Sequence, residues 1–370
     1  MMKLNELPVN IINSSDPVIN IDGINIGKSY PTYFIADIAA NHDGDLERAK
    51  ELIYLAAESG ADAAKFQHFT AETIVSDYGF KNLEGKQSHQ KKWKKSVFEV
   101  YENASVSLAW TDALKETCDK ANVAFFTSPY SMALVDYIDP FVPAYKIGSG
   151  DITWIEMIKY IASMKKPYIL ATGASTMDDV RHAVNAGIEI NSDLCLMQCN
   201  TNYTANPENF KYIQLNVLKT FHDMYPDLVL GLSDHTPGHT TVLGAVTLGA
   251  SMIEKHFTDD VGRTGPDHMF SMDPESWREM VERTRELENS LGIGIKKIED
   301  NEKETVILQR RSIRLSTSLV AGSILAREHM DVLRPCPANA ISPRHIEELI
   351  GKRLKRDMVS GESVKWNDVE

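Results

Sequence analysis

The stretch LVLGLSDHTPGHTTVLGAVTLGASMIEKHF, residues 228–257, holds one complete strand–helix–strand unit and three histidines. Its ends, LVLGLSD (228–234) and SMIEKHF (251–257), are short β-rich runs, and Pro237–Gly238 signals a turn after the first. A helix-length connection between two strands makes them parallel neighbours. The same unit recurs upstream. YFIADIA (33–39), AAKFQHF (63–69), AFFTSP (124–129), AYKIGSG (144–150), PYILATG (167–173) and LCLMQCN (194–200) read as six further strands. Between them lie stretches such as DLERAKELIYLAAESG (45–60), whose Leu46, Ala49, Leu52, Ile53 and Ala56 fall on one helical face. Eight strand–helix units predict an α/β chain closed as a (β/α)8 TIM barrel. The competing layout, a doubly wound open sheet, would show fewer strands and a glycine fingerprint after the first. SGADAAKF (59–66) and LGASMIEKHF (248–257) add a weak internal echo.

Composition bounds the function. The chain has 370 residues, 43% hydrophobic and 25% charged, enough for a large domain and a smaller one. A net charge of −13 argues against nucleic-acid binding but leaves small anionic substrates open. Cys118, Cys195, Cys199 and Cys336 match no zinc spacing and read as reduced, buried thiols. The N-terminus lacks the basic and apolar regions of a signal peptide, and no apolar run is long enough to span a bilayer, so the expected compartment is the cytoplasm.

Two segments break the rhythm. An insertion at 70–104 carries six lysines within residues 81–95, read either as a mobile lid over an anionic substrate or as a solvated basic face. At the C-terminus, a charged stretch at 291–311 reads as a linker, and 312–370 as a small, mostly β domain. There LVAGSIL and MVSGESV place Gly322 and Gly361 in similar frames, as in a module of two related halves. The expected domains are therefore a barrel at 1–290, with an N-terminal extension and barrel-closing hairpin at 1–32, then the linker, then the small domain.

A barrel of this kind builds its active site at the C-terminal ends of its strands. Those ends are polar here: Asp37, Asn41 and His42 after the first strand, then Lys65, Gln67, Thr127 and Ser128. Lys146, Ser149, Asp151, Thr172, Asn200, Thr201, Asn202 and Tyr203 follow, and then Ser233, Asp234, His235, Glu254, Lys255 and His256. An interior lysine can serve catalysis or a structural ion-pair layer. Lys65 and Lys146 with Ser128, Ser149 and Ser233 nevertheless form a set suited to phosphate, two point charges plus neutral donors. The histidines also sort themselves. His235 and His256 end neighbouring strands and fall side by side, whereas His239 follows a Pro–Gly turn and is left to the loop. Two imidazoles with open positions suit a divalent ion.

FIADIAANHDGDLERAKEL, GADAAKFQ, AYKIGSGD, ATGAST, GLSDHTPG, GASMIEKHFT and GPDHMFSM together resemble the sialic acid synthase family, and RPCPANAISP and GKRLKRD resemble its antifreeze-like (SAF) domain. The resemblance covers nearly the whole chain beyond residue 15. It implies condensation of phosphoenolpyruvate with an N-acyl hexosamine, giving a nine-carbon 2-keto-3-deoxy sugar acid and phosphate. N-acetylmannosamine, giving N-acetylneuraminate, is the first expectation. A 2,4-diacetamido-trideoxy hexose, giving legionaminate or pseudaminate, is the alternative, and a catalytically silent sugar-binding homologue is the reading outside the enzyme class. The resemblance further implies a divalent metal on His235 and His256, manganese first, with magnesium or cobalt as alternatives. Lys65, Ser128, Lys146, Ser149, Ser233, Thr172 and Asn200 would bind phosphoenolpyruvate. Asp37, Gln67, Tyr203 and Asp267 would face the sugar or a metal-bound water, with Asp37, Asp151 and Lys146 as catalytic groups. Arg334 would reach the sugar's N-acyl group in the partner subunit of a homodimer. Asp37 and Asp151 stand where the family pattern has glutamate, which shortens reach by about 1.5 Å per missing carbon–carbon bond.

Overall fold

A computed structural model describes residues 16–83, 93 and 95–370. The chain divides into two units, the first ending at Ile293 and the second running from Gly294 to Glu370.

The first unit opens with a hairpin of β1 (Ile19–Ile21) and β2 (Ile24–Ile26), turned by Asp22–Gly23 with both residues at positive φ. The eight barrel strands follow as β3 (Tyr33–Asp37), β4 (Ala63–His68), β5 (Ala124–Pro129), β6 (Tyr145–Ile147), β7 (Tyr168–Ala171), β8 (Leu194–Cys199), β9 (Val229–Asp234) and β10 (Ala250–His256). Each lies within the run expected for it, or extends it by one residue. They form one parallel sheet in the order β5-β4-β3-β10-β9-β8-β7-β6, and β5 packs against β6 to bring the ends together. The eight-stranded TIM-like barrel is therefore present.

Strand alternation sorts every side chain to one of two sides. Residues such as Phe34, Ala64, Phe66, Leu170, Leu196 and Ile253 pack outward against the helices. The opposite parity, Tyr33, Ile35, Ala63, Phe126, Ile169 and Met197, fills the barrel interior, joined by Ile19, Ile21 and Ile26 of the hairpin. Toward the strands' C-terminal ends the same inward parity continues as Asp37, Lys65, Gln67, Ser128, Lys146, Ser233, Glu254 and His256. Apolar residues thus close one end of the interior, and polar ones open the other.

The outer helices form for local reasons. In helix Leu46–Glu58, the N-cap Asp45 accepts from the backbone N–H groups of Glu47 and Arg48. That helix buries Ala49, Leu52, Ile53 and Ala56. Burying a leucine or isoleucine contributes about 1.5–3 kcal/mol, so an aspartate at Leu52 would remove this docking face.

The insertion forms helices Ala71–Ile74, Asp77–Lys81 and Val97–Ala104 around a small cluster of Ala71, Val75 and Val97. Lys86, Lys91, Lys92 and Lys94 lie outside the described residues, and so does most of the expected lid. Lys81 pairs with Asp77 at 2.6 Å.

In the second unit, helix Lys303–Gln309 precedes an antiparallel pair, β11 (Ser312–Leu315) and β12 (Met330–Leu333). The Cys336 N–H donates to Ile307 O at 2.9 Å, so this helix, within the stretch read as a linker, is tied to the β-rich core. Ile313, Leu325, Leu354 and Val364 belong to that core. Leu319 and Met358, which begin the two related stretches, exchange N–H···O bonds of 2.9 Å with each other. Gly322 and Gly361 share φ values of 84° and 83°, left-handed conformations that favour glycine. Of the four cysteines, Cys118, Cys195 and Cys199 are buried and unpaired, while Cys336 is only half-buried. Among the described residues, no helix is long and apolar enough to cross a membrane.

Candidate active site

The polar end of the barrel interior encloses a cavity of ≈ 360 Å³. Its floor is an ion-pair chain across neighbouring strands. Lys65 donates to Asp37 Oδ2 at 2.6 Å, its register partner on β3, and lies 3.9 Å from Glu254 Oε2. Lys146 lies 3.1 Å from Glu254 Oε1, to which the Ser233 hydroxyl also donates at 3.2 Å. Gln67 Nε2 donates to Asp37 Oδ2 at 3.3 Å. Asp37, Lys65, Lys146, Ser233 and Glu254 are buried and Gln67 is half-buried, so the charges act in a poorly screened medium.

Burial and charge compete at each group. Burial pushes the Glu254 carboxyl up, but Lys146 and Lys65 together outweigh it and hold it down at about 2. Lys65 shows the mirror image: burial disfavours its charge, and Asp37 and Glu254 more than restore it. For Asp37 burial prevails over Lys65, and its carboxyl is raised. Asp151 is raised to about 6 by burial, against the pull of Lys146. Asp267 is raised to about 7 by burial, although the Ala40 N–H donates to it at 3.1 Å.

Above this floor stand the two histidines, His235 just after β9 and His256 at the end of β10, with ring centroids 5.4 Å apart. Tyr203 and Phe270 pack edgewise on them at 4.5 and 4.9 Å. Burial pushes both imidazoles down, His235 to about 4 and His256 to about 3, so both are neutral at pH 7. His235 Nδ1 donates to Asn200 O at 3.0 Å, which leaves its Nε2 lone pair free. His256 Nδ1 is buried with no protein partner. Neutral imidazoles with free lone pairs fit a divalent ion. Among the described residues, no third His, Cys, Asp or Glu side chain joins them in a metal-binding cluster.

Most residues expected from the sequence converge here. Lys65, Ser128, Lys146, Ser149 and Ser233 line the cavity, as do Asp37, Gln67, Asp151, Tyr203, Asp267 and both histidines. Ser149 Oγ accepts from the Gly173 N–H at 2.9 Å; a Cβ at Gly173 would sit 2.5 Å from Thr201 and 2.9 Å from that hydroxyl. Thr172 and Asn200 do not line the cavity. Thr172 donates to Met197 O at 2.9 Å and Asn200 to Tyr212 O at 3.3 Å. Asn200 contributes instead through its carbonyl, which orients His235. His239 stands at the N-terminal end of helix Thr240–Thr247, away from the lining. Arg334 is exposed on the second unit.

Glu254 was not singled out by the sequence reading, although its signal was there: two residues before His256 on one strand, it shares the inward face. The other unforeseen group is apolar. Phe69, Ile74, Val100, Tyr101 and Tyr130 also line the cavity, most of them from the insertion.

The NeuB family profile matches residues 52–296, and the SAF domain profile matches 310–370. The chain belongs to the NeuB family. As a member it is a phosphoenolpyruvate-dependent, carbon–carbon bond-forming transferase. It is 36% identical to the N,N'-diacetyllegionaminic acid synthase of Legionella pneumophila, over 93% of this chain and 96% of that one. It is 28% identical to the human N-acetylneuraminate-9-phosphate synthase, over 89% and 90%. The crystal structure of the N-acetylneuraminic acid synthetase of Leptospira borgpetersenii superposes with a TM-score of 0.69 at 27% identity, covering 79% of this chain and 95% of that one.

Proposed function

We propose that the cavity condenses phosphoenolpyruvate with the open-chain aldehyde of an N-acyl hexosamine, releasing phosphate and a nine-carbon 2-keto-3-deoxy sugar acid. The observation that carries this reading is one cavity holding both an anion-binding set, Lys65 and Lys146 with three serine hydroxyls, and a pair of neutral imidazoles.

Lys65, Lys146, Ser128, Ser149 and Ser233 grip the phosphate and carboxylate of phosphoenolpyruvate, with the lysines as charges and the hydroxyls as directional donors. In the free cavity Asp37 and Glu254 neutralise these lysines, so the charges are held in place before the anion arrives. Carbon 3 of phosphoenolpyruvate forms the new bond to the aldehyde carbon, and the carbonyl electron pair moves to its oxygen, which takes a proton. Water adds at carbon 2, and phosphate leaves with its bridging oxygen to give the keto group. Asp151 and Asp267, with carboxyls near 6 and 7, can hold and pass protons at neutral pH, as these two steps require. His235 and His256 would hold a divalent ion, manganese first, which supplies Lewis-acid polarisation of the aldehyde. Gln67 and Tyr203 orient the sugar.

Two sugars satisfy this chemistry: N-acetylmannosamine, and a 2,4-diacetamido-trideoxy hexose. The second is favoured by the 36% identity to a diacetyllegionaminic acid synthase. The same proposal includes a cytoplasmic homodimer in which the exposed Arg334 reaches the partner subunit's sugar. The test is phosphate release from phosphoenolpyruvate with manganese and each sugar in turn. Release with at least one sugar, lost on chelation and regained with manganese, is the expected result. No release with any acylated hexosamine would overturn the proposal.

A further inference from the structure

The cavity has two chemically different sides. Its histidines follow β9 and end β10, whereas its apolar residues follow β4 and β5. In the strand order β4 and β5 stand two to four places from β10 and β9, so the apolar residues lie across the ring from the histidines. A sugar whose aldehyde lies at the histidines therefore points its other end at the apolar side.

That side is built, rather than left over. Helix Val97–Ala104 begins with a capping box, in which the Glu99 carboxylate accepts from Ser96 N at 2.8 Å and Ser96 Oγ accepts from Glu99 N at 3.2 Å. Val97, Val100, Tyr101 and Ala104 then recur at helical spacing. Val97 is buried in the insertion's own cluster, and the other three face the cavity. Tyr101 packs on Phe69 at 5.5 Å, and Phe69 packs edgewise on Tyr130 at 5.9 Å. Gly148 is a glycine for the same reason, since a Cβ there would meet the Tyr130 hydroxyl at 3.1 Å.

We propose that Phe69, Ile74, Val100, Tyr101 and Tyr130 form a subsite for the methyl-bearing end of the sugar. It selects a 6-deoxy, twice-acetamidated hexose over N-acetylmannosamine. The inference rests on the condensation reading and adds the residues that choose the sugar. A methyl group pressed against Ile74 and Val100 exchanges water for carbon contact. A hydroxymethyl in the same place gives up its water against Ile74 and Val100, which offer it no hydrogen bond. One such difference in an apolar pocket is worth roughly 10- to 200-fold in kcat/KM.

The experiment compares kcat/KM for a 2,4-diacetamido-2,4,6-trideoxy hexose and for N-acetylmannosamine in the full-length enzyme, Val100→Thr and Ile74→Thr, with thermal melting as the folding check. Val100→Thr keeps the side-chain shape and adds one hydroxyl. The expected wild-type preference is for the trideoxy sugar, and each variant should lower that ratio by roughly tenfold. A wild type that prefers N-acetylmannosamine, or a ratio unchanged in the folded variants, would overturn the subsite. Absence of turnover with either sugar in the wild type would instead overturn the condensation reading, and the subsite with it.

Discussion

Glu254 and Lys255 are neighbours on β10, and each sits in a buried lysine–carboxylate system, yet the two systems differ in kind. Glu254 points inward, and with Lys65, Lys146 and Asp37 it floors a cavity. Lys255 points outward and donates to Asp234 and to Thr236 O. Asp234 also accepts from the hydroxyls of Thr236 and Thr241 at 2.8 and 2.7 Å. Burial pushes Asp234 up, but Lys255 and those hydroxyls hold it below the usual carboxylate range. The outer system is satisfied and does not line that cavity; it locks the turn that carries His235. The inner system leaves Glu254 Oε2 buried without a hydrogen-bond partner, 3.9 Å from Lys65 Nζ, in a side chain that lines the cavity. Buried lysine–carboxylate pairs thus fall inside the cavity or outside it according to the parity of one strand.

The strongest way to break this contrast is to remove a lysine from each system. Lys65→Met should lower kcat/KM for phosphoenolpyruvate roughly 10³-fold, with a melting temperature close to wild type, because Asp37 can take up a proton and the cavity admits water. If Lys65→Met keeps more than a tenth of wild-type kcat/KM, the inner set is structural after all. Lys255→Met should do the reverse, costing about 3–5 kcal/mol by leaving Asp234 buried and unpaired. Chemical denaturation measures that loss, and kcat per folded molecule should fall less than roughly tenfold.

Asp62 sharpens the contrast from the other end of the barrel. It precedes β4 and accepts from the Phe34 N–H at 2.7 Å. Burial prevails over that bond and the Arg285 guanidinium, and its carboxyl is raised from the ordinary 3.8 to about 6. Between those values Asp62 holds its proton in the folded chain but not in the unfolded one, so its own contribution to stability should fall as pH rises through that window and level off above it. That contribution is about 2–3 kcal/mol, and it should appear as the pH-dependent difference between the wild-type and Asp62→Asn profiles. A profile that is unchanged in the variant would contradict the assignment. The smallest effect expected is for Arg334→Ala, roughly a tenfold rise in the sugar KM with the phosphoenolpyruvate KM unchanged. Equal changes in both constants would count against a contact to the sugar alone.

Much of this was legible in the sequence because period-2 and period-3.6 patterns alternate cleanly from Tyr33 to Phe257. Pairing His235 with His256 rather than with His239 followed from placing the strands, and the structure puts those two rings together. Glu254 stands among the polar strand ends, but its part in the floor depends on the inward parity it shares with His256 and on Lys65 and Lys146 arriving from distant strands. Thr172 and Asn200 fall outside the lining because short polar side chains there satisfy backbone carbonyls across strands and loops, which no local pattern reveals. The apolar subsite was hidden by its neighbours. The insertion's lysines dominate its sequence, while Val100, Tyr101 and Ala104 beside them carry its contact with the cavity.

Mass analysis of the sugar after reaction shows whether the inward parity of the barrel performs a phosphoenolpyruvate condensation. With manganese, phosphoenolpyruvate and the 2,4-diacetamido-trideoxy hexose, a product heavier than the sugar by one pyruvate unit should form, one for one with phosphate. Unchanged sugar alongside intact phosphoenolpyruvate, with N-acetylmannosamine unchanged as well, would contradict it.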